Sequence, residues 1–218
     1  MRKYLVRTLL VGGAAAAAVA LVAGQASAAG TTITITGANV NFSASSSNTV
    51  LSDPNSGQTF SCTSSTASGN IGNVTNAPLP YTVTPTGGTG HAITSLAFSG
   101  CTSSFGAATV SVPASDLPDD LVVTTDQAPT APQASGHVQT AGTSGLLVHI
   151  SVATCSFDVA GQANATWTNG ATGQLNFTGT GTLHPANISP GCFGLVSTTD
   201  TLTYKGTYNV TPATVTVS

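Results

Sequence analysis

Thr31-Thr32-Ile33-Thr34-Ile35-Thr36 is the stretch that decides the fold class. Side chains of an extended chain point alternately to opposite faces, so Ile33 and Ile35 share one face and the threonines the other. That is the signature of a half-buried strand. The same period-two pattern recurs at 39–42, 81–84, 93–98, 108–112, 121–125, 146–152, 157–159, 165–168, 174–178, 201–208 and 213–217. Gly, Asn, Ser or Pro usually separates these runs, and no stretch of a dozen residues after position 28 carries a helical stripe. The pattern predicts an all-β fold arranged as an antiparallel β-sandwich. Asn169-Gly170 predicts a hairpin with a tight two-residue turn between 165–168 and a run reaching Phe177, because both residues accept positive φ. Gly87-Gly88 offers a looser turn between Tyr81 and His91.

The amino-terminal 28 residues read differently. Arg2, Lys3 and Arg7 precede an apolar run from about Leu9 to Gly24, and Ala26-Ser27-Ala28 supplies small residues for cleavage. This predicts a signal peptide at 1–28 and one extracellular all-β domain at 29–218. The apolar run is shorter than the roughly 20 residues a spanning helix needs, and nothing after it approaches that length. Cleavage removes Arg2, Lys3 and Arg7 and no acid, which leaves Lys205 against seven aspartates, a net charge of −6. Nucleic acid is an unsuitable partner for such a chain, since phosphate binding depends on clustered Lys and Arg. Between 113 and 134 four prolines and four aspartates mark a long connection containing a short strand at Leu121-Val122-Val123.

Cys62, Cys101, Cys155 and Cys192 are an even set in an oxidising compartment and predict two disulfides. Three connectivities are open. Pairing Cys62 with Cys101 and Cys155 with Cys192 is favoured by loop separations of 39 and 37 and by a Gly before the later Cys of each pair. The near-equal spacing hints at two related halves. An immunoglobulin domain is rejected, because Cys192 follows Trp167 too closely and Pro190 stands where a corner tyrosine belongs.

Gly191-Cys192-Phe193-Gly194-Leu195-Val196, then Asp200 and Tyr208-Asn209-Val210-Thr211-Pro212, resembles the ending of small secreted, disulfide-containing β-proteins of actinobacteria. Thr63-Ser64-Ser65-Thr66-Ala67-Ser68-Gly69 and Phe98-Ser99-Gly100-Cys101 resemble the first half of that group. The resemblance implies an exported, stapled β-protein and carries over no catalytic residue.

The residues assemble no recognisable active site. No Gly-x-Ser-x-Gly elbow is present, His91, His137, His149 and His184 are scattered, and the chain has no Glu to pair with its aspartates for glycoside hydrolysis. Asp116, Asp119, Asp120 and Asp126 could offer oxygens to calcium, but without EF-hand spacing a solvated acidic loop is the plainer reading. The expectation is a non-enzymatic domain without cofactor, acting outside the cell in a structural, surface-associated or binding role, with envelope polysaccharide or protein as partner. Two alternatives stand beside it. Trp167, Tyr81, Tyr204 and Tyr208 on a Thr- and Asn-rich exterior would suit a carbohydrate-binding module. A secreted hydrolase would need His149 or His184 joined to Asp158 or Asp200 and a hydroxyl nucleophile. An outer-envelope barrel is disfavoured, since its strands should be nearer ten residues long with aromatic girdles.

Overall fold

The computed structural model describes residues 30–218, so the signal segment expected at 1–28 lies outside the described residues. In chain order the strands are β1 (Thr32–Thr36), β2 (Val40–Ser46), β3 (Thr49–Asp53), β4 (Gln58–Ile71), β5 (Val74–Pro78) and β6 (Tyr81–Thr82). Then come β7 (Ile93–Ser103), β8 (Gly106–Ser111), β9 (Asp119–Asp126), β10 (Ala134–Thr140), β11 (Leu146–Val152) and β12 (Cys155–Ala160). The last are β13 (Gln162–Thr168), β14 (Gly173–Gly181), β15 (His184–Ala186), β16 (Thr203–Thr211) and β17 (Thr216–Val217). A single 3₁₀ turn, Pro190–Cys192, is the only helical element among the described residues. No helix there is long and apolar enough to cross a membrane.

The fold is all-β, but the expected sandwich is corrected to a barrel. β2, β4, β7, β9, β10, β13, β14 and β16 pair antiparallel in a closed ring, with β7 joined to β9 through the bridge Ile93↔Asp119. Alternation tells which side chains face inward, and both architectures satisfy it. Closure depends instead on that one long-range bridge, which leaves no mark in the local pattern. The 14-residue β4 runs beside β2 and then β3, which continues the same course of the wall.

The wall is apolar inside and polar outside. Tyr208 and Val210 of β16 are buried while Lys205, Thr207 and Asn209 face out, and β2 buries Phe42 and Ala44 between exposed Asn41, Ser43 and Ser45. A membrane barrel has the reverse arrangement, with an apolar band facing lipid.

Two smaller sheets pack on the ring. β1 lies between β17 and β5, and its Ile33 and Ile35 are buried while Thr32 and Thr36 are exposed, as the alternation predicts. These isoleucines join Ile71, Trp167, Val215 and Val217 in one core cluster. The other sheet, in the order β15-β12-β11-β8, leaves the barrel through the β7–β8 hairpin. Its Ile150, Phe157 and Val159 pack with Leu51 and Phe60 of the wall in a second cluster, with Phe157 and Phe60 edge to face at 5.6 Å.

The disulfides are Cys62–Cys101 and Cys155–Cys192, the pairing favoured by spacing. The hint of related halves is not met. Cys62 and Cys101 staple directly opposed residues of β4 and β7 in the barrel, whereas Cys155 ties β12 to the 3₁₀ turn beside the outer sheet.

The Asn169-Gly170 hairpin forms between β13 and β14, but its connection is the four residues 169–172, and neither Asn169 nor Gly170 has positive φ. Asn169 is otherwise engaged. Its Oδ1 accepts from Trp167 Nε1 at 2.7 Å and from Val217 N at 3.0 Å, and its Nδ2 donates to Val217 O at 2.8 Å. Gly87 and Gly88 do have positive φ, yet they do not make a β6–β7 hairpin, since β6 pairs with β9. The Pro- and Asp-rich connection carries a longer strand than expected, Asp119–Asp126 instead of 121–125.

Candidate functional site

Eight-stranded barrels have interiors just wide enough for side chains to fill or for one small ligand. Here Ala44, Ala67 and Ala163 stand at inward positions and leave a cavity of about 120 Å³ among Phe42, Leu96, Leu121, Val138 and Leu175. That resembles an engineered apolar cavity of about 150 Å³ that stays dry and takes up benzene.

The ring is thinnest beside this cavity. β7 meets β9 only at Ile93↔Asp119 and meets β8 at Thr102 and Ser103, so among the described residues its edge from Thr94 to Cys101 has no strand partner on that side. Leu96 and Phe98, partly exposed on this stretch, line the cavity, as do Val110 and Val148 of the outer sheet. The gap is a lateral opening between the barrel and the sheet that splays from it.

Few polar groups face the lumen. Tyr204 and Tyr208 hydrogen-bond through their hydroxyls at 2.6 Å, and Phe177 meets their rings edge to face at 5.1 and 5.6 Å. Gly206 between them is backed by Thr49, since a Cβ there would approach Thr49 Cγ2 to 2.8 Å. Burial holds both phenols above the usual range, so they stay neutral. Ser65 Oγ is buried beside the two phenols.

Asp119 is the exceptional group. It is 0% exposed, lines the cavity, and neither carboxylate oxygen has a hydrogen-bond partner among the described residues. Burial, then the charges of Asp116 and Asp120, raise its pKa to about 7. Alternation in the sequence starts this strand at Leu121. Carrying the alternation Val123-Leu121 two residues back would have placed Asp119 on the same inward face.

The other acidic candidates do not converge with it. Asp116 is buried with Ser115 Oγ donating to it at 3.2 Å, and Asp120 meets His91 Nδ1 at 2.7 Å. Asp126 ends the strand, about 23 Å away at strand rise, where it accepts from Ala128 N at 2.9 Å. The solvated acidic loop is therefore corrected for Asp116 and Asp119, which are both buried. Among the described residues no group of three or more His, Cys, Asp or Glu could hold a metal ion.

A second arrangement lies on the outer sheet. His149 Nδ1 is 2.6 Å from Asp158 Oδ1, His149 Nε2 is 3.1 Å from Ser151 Oγ, and Asn187 Nδ2 donates to Asp158 Oδ2 at 2.8 Å. This is the order of nucleophile, base and acid in a serine triad. An oxyanion hole requires free N–H groups beside the nucleophile. Ser151 instead lies in two ladders, opposite Thr109 of β8 and Ser156 of β12, and the Asn187 amide is committed to Asp158. His184 is exposed, with Nδ1 at 3.0 Å from Thr182 O, and joins neither Asp158 nor Asp200. Asp200 accepts from Asn55 Nδ2 at 3.0 Å and Ser197 N at 2.6 Å, and the Asn55 bond is the largest cause of its lowered pKa.

The aromatic residues considered for sugar binding are largely interior, with Trp167 and Tyr208 buried and Tyr204 lining the lumen. An open groove over β3 and β16 carries Ser46, Asn48, Ser52, Gln58 and Lys205, and Phe177 is its sole aromatic lining. Compared with known protein families, curated proteins and solved structures, the chain matches none.

Proposed function

We propose that this is an exported, non-enzymatic β-barrel protein whose lumen holds a small, largely apolar molecule. The cavity of about 120 Å³ beside the unpaired edge of β7 carries this reading. By the cavity cost of about 24 cal/mol per Å³, leaving such a space unfilled forgoes roughly 3 kcal/mol of packing. A barrel with no use for the space would gain by enlarging Ala67 or Ala163. Export is supported by two disulfides, the near absence of positive charge after residue 28 and the resemblance to actinobacterial secreted proteins.

The test is toluene binding, read by thermal shift and by xenon uptake in NMR. Toluene should raise the melting temperature of the wild type and leave Ala67→Leu, which fills the lumen, unchanged. Wild-type protein that takes up neither toluene nor xenon refutes the proposal.

The hydrogen-bond chain through Ser151, His149 and Asp158 favours a second reading, a secreted hydrolase. A fluorophosphonate that labels the wild type and spares Ser151→Ala would support it. The ladder-bound amides around Ser151 weigh against it.

A further inference from the structure

We infer that the lumen takes an apolar molecule bearing one primary ammonium group, with the Asp119 carboxylate as its counter-ion. This rests on the lumen reading above and adds the head group. Two observations carry it. Apart from Asp119, the polar groups of the lining are already engaged or neutral: the Thr49 hydroxyl, the Cys62 disulfide sulfur, the Trp167 indole held by Asn169 and two phenols bonded to each other. Asp119, fully buried at the β7–β9 bridge, has two carboxylate oxygens with no hydrogen-bond partner among the described residues.

An unpaired buried polar group is costly, and an unpaired charge more so. A ligand donor at this position supplies the missing bonds, and an ammonium ion also supplies the opposite charge, the stronger form of such a contact. The surroundings favour a cation over an anion. Asp116 and Asp120 both press negative charge on Asp119, and His91 is held by Asp120. From β10 the residue paired with Asp119 is Thr140, whose hydroxyl donates to Asp116 O at 3.0 Å, and among the described residues no cation pairs with Asp119. A cavity of about 120 Å³ limits the molecule to about one ring with a one-carbon arm.

Benzylamine, benzyl alcohol and toluene are matched probes, measured by calorimetry at pH 8, where Asp119 is ionised. Benzylamine should bind at least tenfold more tightly than toluene, with benzyl alcohol between them. Asp119→Asn should bring benzylamine to within about threefold of toluene while toluene binding persists. On wild-type protein the amine preference should also fade at pH 5, and benzylamine should shift the Asp119 carboxyl carbon resonance at pH 8. Those last two readouts stand even if the variant fails to fold. Equal binding of benzylamine and toluene to the wild type, or an amine preference that survives Asp119→Asn, overturns the ammonium assignment and leaves the lumen reading standing. Binding of none of the three overturns both.

Discussion

Replacing Asp119 by Asn should remove a pH-dependent destabilisation that the wild type carries. The carboxyl is buried with no hydrogen-bond partner among the described residues, and its pKa rises from 3.8 to about 7 on folding. Between those values the folded state keeps a proton that the unfolded chain has released, so stability falls as pH rises through that window. Little is lost below pH 4, and the loss is nearly complete by about pH 8. At 1.36 kcal/mol per pH unit the full penalty is about 4 kcal/mol, of which roughly 2.5 kcal/mol develops between pH 5 and pH 8. Urea unfolding of wild type and Asp119→Asn at those two pH values measures it. The Asn amide has its own unmet hydrogen bonds, but that cost does not vary with pH, so the change in the difference is the quantity to read. The variant should gain about 2.5 kcal/mol on the wild type from pH 5 to pH 8. Parallel stability profiles would refute the unsatisfied burial of Asp119.

Phe157, 0% exposed between the outer sheet and the barrel, should cost about 3–5 kcal/mol when changed to Ala, measured by chemical denaturation. Removing the Cys155–Cys192 staple by a double change to Ala should lower stability by about 4 kcal/mol on the loop-entropy estimate for its separation of 37 residues. Asn169→Ala strands Trp167 Nε1 and the Val217 backbone, and should cost roughly 1–3 kcal/mol with faster amide exchange at Val217.

How far the residues alone reveal this molecule differs from feature to feature. The inward positions of β1, β2 and β16 follow from alternation, because burying apolar groups on one face of a strand leaves a period of two in the chain. Ring closure rests on Ile93↔Asp119, a contact across 26 residues with no local chemistry to announce it. The Asn169-Gly170 turn was legible as a hairpin and misleading as a turn type, since tertiary bonds to Trp167 and Val217 claim Asn169. The meeting of His149 with Asp158 follows by counting outward from the Val152↔Cys155 pair. That count needs the turn at Ala153-Thr154, which holds neither Gly nor Asn although Ala153 has φ 49°. Asp119 looked like one of four surface acids because a carboxylate is rarely placed on an apolar face, and its position became visible only once β9 was extended.

The single bridge between β7 and β9 makes the wall mechanically uneven. Most courses are held by ladders of several residues, so parting them means local unfolding, whereas this seam parts with one pair. Exchange of a lumen occupant can thus be far faster than loss of the fold, and the Cys62–Cys101 crosslink at the far end of β7 keeps such a breach from spreading.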